Sequence, residues 1–347
     1  MKGSQTILVT RFSAIGDVAM VVPLLKALLE RHPQLQLVML TQSFLHDLFR
    51  PLPRVHLPKA DLRGKDGTPV GLWRLSRRLK QSYALDGVVD LHDVLRSQLL
   101  RTYLFIQGIP FTRIQKDRKA RQLLTRRNKK QWVEAKHSFL LYQDTFARMG
   151  FPLDLSLDMP PKLNFAPFAS PELDLTHPRP WIGLAPFASR TEKMLPLPRM
   201  QQVASQLLNQ GASVFLFGGP REQKILSEWK EEDPRLQIAP YFPLAQEMYL
   251  IQHLDLMVGP DSANGHLARL VGTPTLTIWG PTHPLAGFRP LGPSSQQHDL
   301  EISTEELPCR PCFVVKAKPC YRGDHACMQR INTESLLNRV QQVLTST

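Results

Sequence analysis

The 347 residues are 42% apolar and 21% charged, enough to bury one large core or two of about 150 to 170 residues each, which excludes a mainly disordered chain. The opening MKGSQTILVTRF lacks the apolar run and cleavage site of a secretory leader, and no stretch approaches ~18 uninterrupted apolar residues; this predicts an intracellular, cytoplasmic protein that does not span a membrane. The net charge of +13 is lopsided, with 27 Lys and Arg against 13 Asp and Glu in residues 1–165 and 16 against 17 in the remainder.

ILVTRF (7–12) reads as a strand, and VAMVVPLLKALLERHP (18–33) as a helix in which Pro23 either kinks the run or marks a first short turn. LQLVMLT (35–41) is the next strand, SFLHDLFR (43–50) a short helix and RVHLP (54–58) another strand. GLWRLSRRLKQSYA reads as a helix, DGVVDLHD as a strand and VLRSQLLRTYLFIQG as a helix. Short apolar strands alternating with helices predict an α/β fold, a parallel sheet covered on both faces.

RIQKDRKARQLLTRRNKKQWVEAK (113–136) follows, with ten basic and two acidic side chains. It is either a docking element for an anionic partner or a solvated basic surface. No RNP-like aromatic pair, GXXG clamp or finger spacing accompanies the charge, so a phosphorylated glycolipid or an anionic membrane surface is the favoured partner and nucleic acid is not.

Residues 151–180 contain seven prolines (Pro152, Pro160, Pro161, Pro167, Pro171, Pro178 and Pro180) and no sustained periodicity, the mark of a crossing between domains. The alternation then restarts. WIGLAP, ASVFLFG, LQIAPY, LDLMVG and TPTLTIWG read as strands, and PRMQQVASQLLNQ, REQKILSEWKEE, LAQEMYLIQH and HLARLVG as the helices between them. Two halves built alike predict two Rossmann-like domains facing across a cleft, at 1–165 and 178–330. A last helix in 331–347 carries Leu336, Leu337, Val340, Val343 and Leu344 on one face with Asn332 as cap. It is expected to pack back on the N-terminal domain.

Open parallel sheets bind ligands beyond the carboxyl ends of their strands. In LDLMVGPDSANGHLARLVG, residues Asp261, Ser262, Ala263, Asn264, Gly265 and His266 form a small-residue turn feeding a helix whose free amides suit a diphosphate. Ordinary capping by Asp261 or Ser262 would explain the same letters. LAPFASRTEKMLP adds Ser189, Arg190, Thr191 and Lys193 after the first strand of the same half, and FLFGGPREQ adds Glu222, placed to accept from ribose hydroxyls or simply to cap a helix.

These segments resemble the ADP-heptose:lipopolysaccharide heptosyltransferases, glycosyltransferase family 9, over nearly the whole chain. The likeness rests on an early R-F-x-x-I-G-D loop, a D-L-x-x-x-x-R-S segment at Asp90 to Ser97, S-x-x-x-K-x-x-P at Ser189 to Pro196, G-x-x-x-E at Gly218 to Glu222, D-S-x-x-x-H-L-A at Asp261 to Ala268, and a cysteine tail. It implies a GT-B fold binding the sugar nucleotide in the C-terminal domain. It also implies inverting transfer of heptose from ADP-L-glycero-D-manno-heptose to the lipopolysaccharide inner core, with no metal required. A monomer without cofactor is expected, and the basic first half places it at the inner face of the inner membrane. The resemblance assigns Asp17 as catalytic base, Lys193 to the phosphates, Glu222 to the ribose, and Ser262 and His266 to the phosphate-contacting turn. One residue departs from the pattern: Ala263 stands where the family has Gly.

An inverting displacement needs a base for the attacking hydroxyl and cationic or amide donors for the departing diphosphate, roles that Asp17 and Lys193 fit. A bare N-cap role is the competing explanation for Asp17. Arg96, Lys116, Arg118 and Arg121 are expected acceptor-phosphate contacts, with peripheral membrane association through 113–136. Cys309, Cys312, Cys320 and Cys327, all the cysteines of the chain, suit a four-thiolate zinc knot or buried reduced thiols; the second pair is not C-x-x-C, and the metal-free reading is adopted. Two alternatives stay open: a GT-B transferase using another nucleotide sugar, and a non-catalytic protein binding anionic glycolipid. A nicotinamide enzyme is disfavoured because ILVTRFSAIGD lacks G-x-G-x-x-G.

Overall fold

The architecture follows from runs of residues buried on both faces, the signature of parallel strands. The computed structural model describes residues 4–167, 174–229, 233–239, 243–294, 297–314 and 318–346. Of the sequence expectations, Pro171, the end of REQKILSEWKEE (230–232) and the end of LQIAPY (240–241) lie outside the described residues.

The first unit comprises Met1–Lys116 and Ser138–Leu163. Its elements are β1 (Gln5–Thr10), α1 (Ile15–Ala19), α2 (Val21–Arg31), β2 (Leu35–Leu40), a 3-10 turn at Ser43–Leu48, β3 (Val55–His56), a second 3-10 turn at Lys65–Gly67, α3 (Pro69–Tyr83), β4 (Gly87–Asp90), α4 (Leu95–Ile106) and β5 (Phe111–Arg113); α5 (Arg118–Leu124) intervenes before α6 (Ser138–Arg148). The strands pair in parallel in the order β3-β2-β1-β4-β5. The long helix read over 18–33 breaks at Met20, and Pro23 falls in the first turn of α2, where its missing amide forfeits no bond. α3 starts as its letters ask: Thr68 Oγ1 accepts from the Gly71 amide at 3.0 Å with Pro69 behind it, and the helix ends on a left-handed Ala84.

The second unit comprises Asp117–His137 and Asn164–Thr347. It contains α5, then β6 (Trp181–Leu184), a 3-10 turn at Thr191–Lys193, α7 (Leu197–Asn209), β7 (Ser213–Leu216), α8 (Gln223–Ser227), β8 (Leu236–Ile238), α9 (Leu244–Gln252), β9 (Leu256–Pro260), α10 (Ala263–Val271), β10 (Thr275–Trp279), a 3-10 turn at Pro284–Ala286, β11 (Gln297–Glu301), α11 (Ala326–Gln329) and α12 (Thr333–Ser346). Its sheet, also parallel, runs β11-β10-β9-β6-β7-β8.

Two domain expectations are corrected. Residues 117–137 were expected inside the 1–165 domain, but they belong to the second unit because its surface claims them. The Ala135 amide donates to Leu285 O at 2.9 Å, Arg121 Nε donates to Ala286 O at 3.1 Å with its guanidinium 4.1 Å from the Phe288 ring centroid, and Lys130 Nζ donates to the Cys309 and Pro311 carbonyls. The charge is redistributed accordingly: the first unit carries 19 basic and 11 acidic residues and the second 24 and 19. The C-terminal helix was expected on the N-terminal domain. Instead Leu336, Leu337, Val340 and Val343 of α12 are buried in the second unit's own core with Met200, Val203 and Leu207 of α7, where an apolar stripe of matching length was already available.

Candidate active site

In each sheet the first strand has its successor on one side and a later strand on the other, so the connections leave the carboxyl ends of β1/β4 and β6/β9 in opposite directions. These are the topological switch points at which open α/β sheets hold ligands.

At the first switch point β1 delivers Arg11 and β4 delivers Asp90, which is fully buried and fixed from four directions. Thr10 Oγ1 and the amides of His92 and Asp93 donate to Oδ1 at 3.0, 2.9 and 3.0 Å, and Arg101 Nη1 donates to Oδ2 at 2.6 Å. The turn so formed presents His92, whose Nδ1 accepts from the Phe12 amide at 3.3 Å and whose ring meets that of Phe12 edge-on. Burial, reinforced by the Arg11 and Lys116 cations, pushes the His92 pKa down to about 3.

Arg11 reaches across: Nη1 donates to Leu91 O at 2.8 Å, Nη2 pairs with Asp17 Oδ2, and the guanidinium lies 5.8 Å from the Tyr142 ring centroid. Burial alone would lower its pKa, but Asp17 and Tyr142 outweigh that and raise it. Asp17 is the third residue of α1. It accepts from the Ala14 amide at 3.3 Å and from the Tyr142 hydroxyl at 3.5 Å, and its side chain keeps 18% exposure. The N-cap position belongs to Ala14, and the Asp17 carboxylate, reaching back to its amide as in a capping box, does part of the capping work; its contacts with Arg11 and Tyr142 are additional to that role.

At the second switch point Lys193 Nζ donates to Asp261 Oδ2 at 2.6 Å and to the Asp261 carbonyl at 3.3 Å, both side chains being mostly buried. Ser262 is the N-cap of α10 yet makes no capping bond, and its Oγ is buried with no partner among the described residues. The helix therefore starts with amides that its own cap leaves unused. Ala263 is the first helical residue and is not among the positive-φ positions, so its methyl fits the turn without strain. Gly265 packs toward Pro290 and Thr277.

Glu222 sits at the N-cap of α8 and does not cap it. Its carboxylate lies over Gly219, where a Cβ would come within 2.7 Å of Oε2, so glycine there leaves the room. Ser189 and Thr191 are exposed on the loop between β6 and α7 that carries Lys193.

His137, missed by sequence reasoning, also belongs to this region. Its Nε2 lies 2.8 Å from Arg289 O, which makes Nε2 the protonated nitrogen, and it is near enough to His266 to feel that ring electrostatically. Burial holds its pKa down to about 4. Arg11, Tyr142 and His92 were missed as well. Arg11 was visible as the residue leaving the first strand, whereas Tyr142 lies on a helix 125 residues from Asp17 and had no local signal.

His92 and His137 are uncharged when folded and take up protons when unfolded below their ordinary value of 6.5. Stability is therefore fully present above that pH and falls toward about 3 and about 4, at about 1.4 kcal/mol per pH unit for each ring. Urea unfolding midpoints should drop between about pH 7 and about pH 5, and His92→Asn and His137→Gln should each flatten the slope; identical slopes in wild type and both variants would mean the rings already charge in the native state.

The four expected acceptor contacts divide between the units. Lys116 Nζ donates to His92 O at 2.6 Å and Arg96 to Leu62 O, both in the first unit, while Arg118 and Arg121 lie in the second. Of the cysteines, Cys327 is buried and its thiol is pushed up to about 12 by burial and then by Cys312; the Cys312 thiol is also raised, first by burial. Among the described residues no group of three or more His, Cys, Asp or Glu is arranged to hold a metal ion.

Known proteins share this arrangement of sequence. A family model described as glycosyltransferase family 9 (heptosyltransferase) matches residues 72–320. The chain belongs to that family. Lipopolysaccharide heptosyltransferase 1 of Pseudomonas aeruginosa is 25% identical over 252 residues, 70% of this chain, and the match spans just under two thirds, 66%, of that relative's length. A family 9 glycosyl transferase from Veillonella parvula superposes with a TM-score of 0.74 at 19% identity, covering 100% of this chain and 99% of the other. ADP-heptose LPS heptosyltransferase II of E. coli gives 0.69 at 19%, covering 98% and 99%. The two parallel α/β lobes are thus those of the GT-B fold, as the resemblance implied. Among the described residues no helix is long and apolar enough to cross a membrane.

Proposed function

We propose that the chain is an inverting glycosyltransferase that moves heptose from ADP-L-glycero-D-manno-heptose to a hydroxyl of the lipopolysaccharide inner core, working at the inner face of the inner membrane, where a lipid-linked acceptor would be met. The observation that carries this reading is the start of α10, with an N-cap serine that does not cap and the Lys193 ammonium held against Asp261 beside it. Such a constellation suits a diphosphate both as ligand and as leaving group. The names of the family 9 relatives supply the heptose and the lipopolysaccharide.

In this reading the acceptor hydroxyl attacks the anomeric carbon from the face opposite the departing ADP. Asp17 accepts the hydroxyl proton, and Arg11 and Tyr142 hold the carboxylate in place and disperse its charge before transfer. As the bond to the diphosphate breaks, Lys193 and the α10 amides take up the growing negative charge, Ser262 adds a hydroxyl donor, and His266 lines the same turn. Glu222 receives the ribose hydroxyls, with Ser189, Thr191 and Gly265 completing the rim. No second carboxylic acid is required, because the nucleotide diphosphate leaves without protonation.

The deciding measurement is turnover of ADP-L-glycero-D-manno-heptose beside UDP-, GDP- and other ADP-sugars, with truncated lipopolysaccharide as acceptor. ADP-heptose is expected to be used and the others to be poor. Transfer from a different nucleotide sugar alone would overturn the donor, and binding without transfer from any donor would favour a glycolipid-binding protein.

A further inference from the structure

The basic segment 117–137, the sequence's obvious candidate for membrane contact, spends Arg121 and Lys130 on carbonyls of the second unit. A different surface has the composition a bilayer asks for. α3 and α4 pack side by side on one flank of the first sheet, joined by an edge-on contact of Trp73 with Tyr103 and by Gln107 Nε2 donating to Ser76 Oγ at 2.8 Å. Their outward faces carry Val70 (60% exposed), Trp73, Leu95 (71%), Phe105 (59%) and Ile106 (67%). Val70, Trp73, Arg74 and Arg77 follow i, i+3, i+4, i+7 spacing on α3, and Leu95, Thr102, Phe105 and Ile106 share the solvent side of α4. A soluble helix pair normally turns such side chains inward.

The charge on the pair is one-sided. α3 and α4 together hold six Lys and Arg and no Asp or Glu. Arg101 turns inward to Asp90 and Asp93, Arg96 bonds to Leu62 O, and Arg78 faces Asp66, leaving exposed Arg74 and Arg77 among the apolar side chains, with Lys80 bonded to Gln107 O at their edge. Large apolar and aromatic residues interleaved with cations are what the headgroup region of an anionic bilayer binds, the rings entering the interface and the guanidiniums meeting phosphates. A second copy of the chain would set this basic face against itself.

We propose that the outer face of α3 and α4 is the docking surface of this protein on an anionic phospholipid bilayer. The inference deepens the proposed function, on which its purpose rests, since a lipid-linked acceptor would be met at such a surface. The start of α4 lies beside His92 and Asp93, so the docked face adjoins the Asp17 site within the same unit.

The test is co-sedimentation of the full chain with vesicles of phosphatidylethanolamine and phosphatidylglycerol in equal parts, compared with phosphatidylcholine alone, and needs no sugar donor. Wild type is expected to pellet with the anionic vesicles at low salt and to be released by high salt. Val70→Ser with Ile106→Ser should weaken binding about tenfold, and Arg74→Glu with Arg77→Glu at least as much, from roughly fivefold for each lost cation. Thermal midpoints should stay near wild type, because all four side chains are exposed. Unchanged vesicle binding in both variants, or loss only in Arg126→Glu with Arg127→Glu, would overturn the proposal. So would a failure of wild type to bind, whether the same substitutions then abolished RNA binding or dissociated a dimer. If vesicles bind as expected while no donor is turned over, the docking surface stands and the transferase reading falls; the converse result separates them the other way.

Discussion

Asp17→Asn should bind ADP about as tightly as wild type and lose about 10²- to 10⁴-fold in kcat, the range for removing a positioned general base. Asparagine can keep its one oxygen where Oδ2 accepts from the Ala14 amide and turn its NH2 toward the Tyr142 hydroxyl, which can accept as well as donate, so the loop geometry has reason to survive. It cannot take a proton, and it leaves the buried Arg11 guanidinium without its counter-charge. Stability is therefore expected to fall too, by up to about 3 to 5 kcal/mol, the cost of breaking a buried pair from one side. Asp17→Glu separates the two effects: the charge beside Arg11 remains while the carboxylate moves by one methylene, so the protein should regain its stability and still turn over slowly. If Asp17→Asn retained wild-type kcat with saturating donor and acceptor, the proton would have to leave by another route and the assignment of Asp17 would be lost. Arg11→Gln offers an independent view. It removes the hold on the carboxylate without removing the base, and should lower kcat less than Asp17→Asn does.

The order of strands and helices was legible because parallel strands buried on both faces announce themselves as unbroken apolar runs, as in LQLVML and TLTIW. The edge strand β11 escaped because QHDLE is half-buried and mostly polar, which leaves neither an apolar run nor a clean alternation. α6 fell in a stretch dominated by its basic neighbour, and with it went Tyr142. The placement of 117–137 in the second unit could not be read at all: it depends on Phe288 and the carbonyls of Leu285, Ala286, Cys309 and Pro311, more than 140 residues downstream. The candidate site divides in the same way. Asp17, Lys193, Glu222 and the 261–266 segment stand where the chain leaves a strand and enters the next helix, so sequence position alone brings them toward the carboxyl edge of a sheet. Their partners were hidden because ion pairs such as Lys193 with Asp261 join residues 68 positions apart. A serine at an N-cap, finally, reads as a cap in any sequence; only geometry shows that the Ser262 hydroxyl is turned away from that role.

Lys193→Ala should lower kcat about 10²- to 10³-fold, the scale for losing one preorganised donor to a developing charge, and weaken ADP binding by about tenfold or more. The second effect has two sources that a further substitution can separate. Truncation removes the ammonium, and it also exposes the Asp261 carboxylate, 2.6 Å from Nζ in the intact protein, to an incoming diphosphate of the same sign. In Lys193→Ala with Asp261→Asn the repulsion is gone, so ADP affinity should recover part of its loss by calorimetry. The rate should not recover, because no cation has been restored to meet the leaving group. Lys193→Arg, which keeps the charge but changes its shape and reach, should fall between wild type and alanine in both measurements. Should the double variant regain rate together with affinity, Lys193 would serve only to neutralise Asp261, and the charge of the departing diphosphate would have to be met by the α10 amides alone.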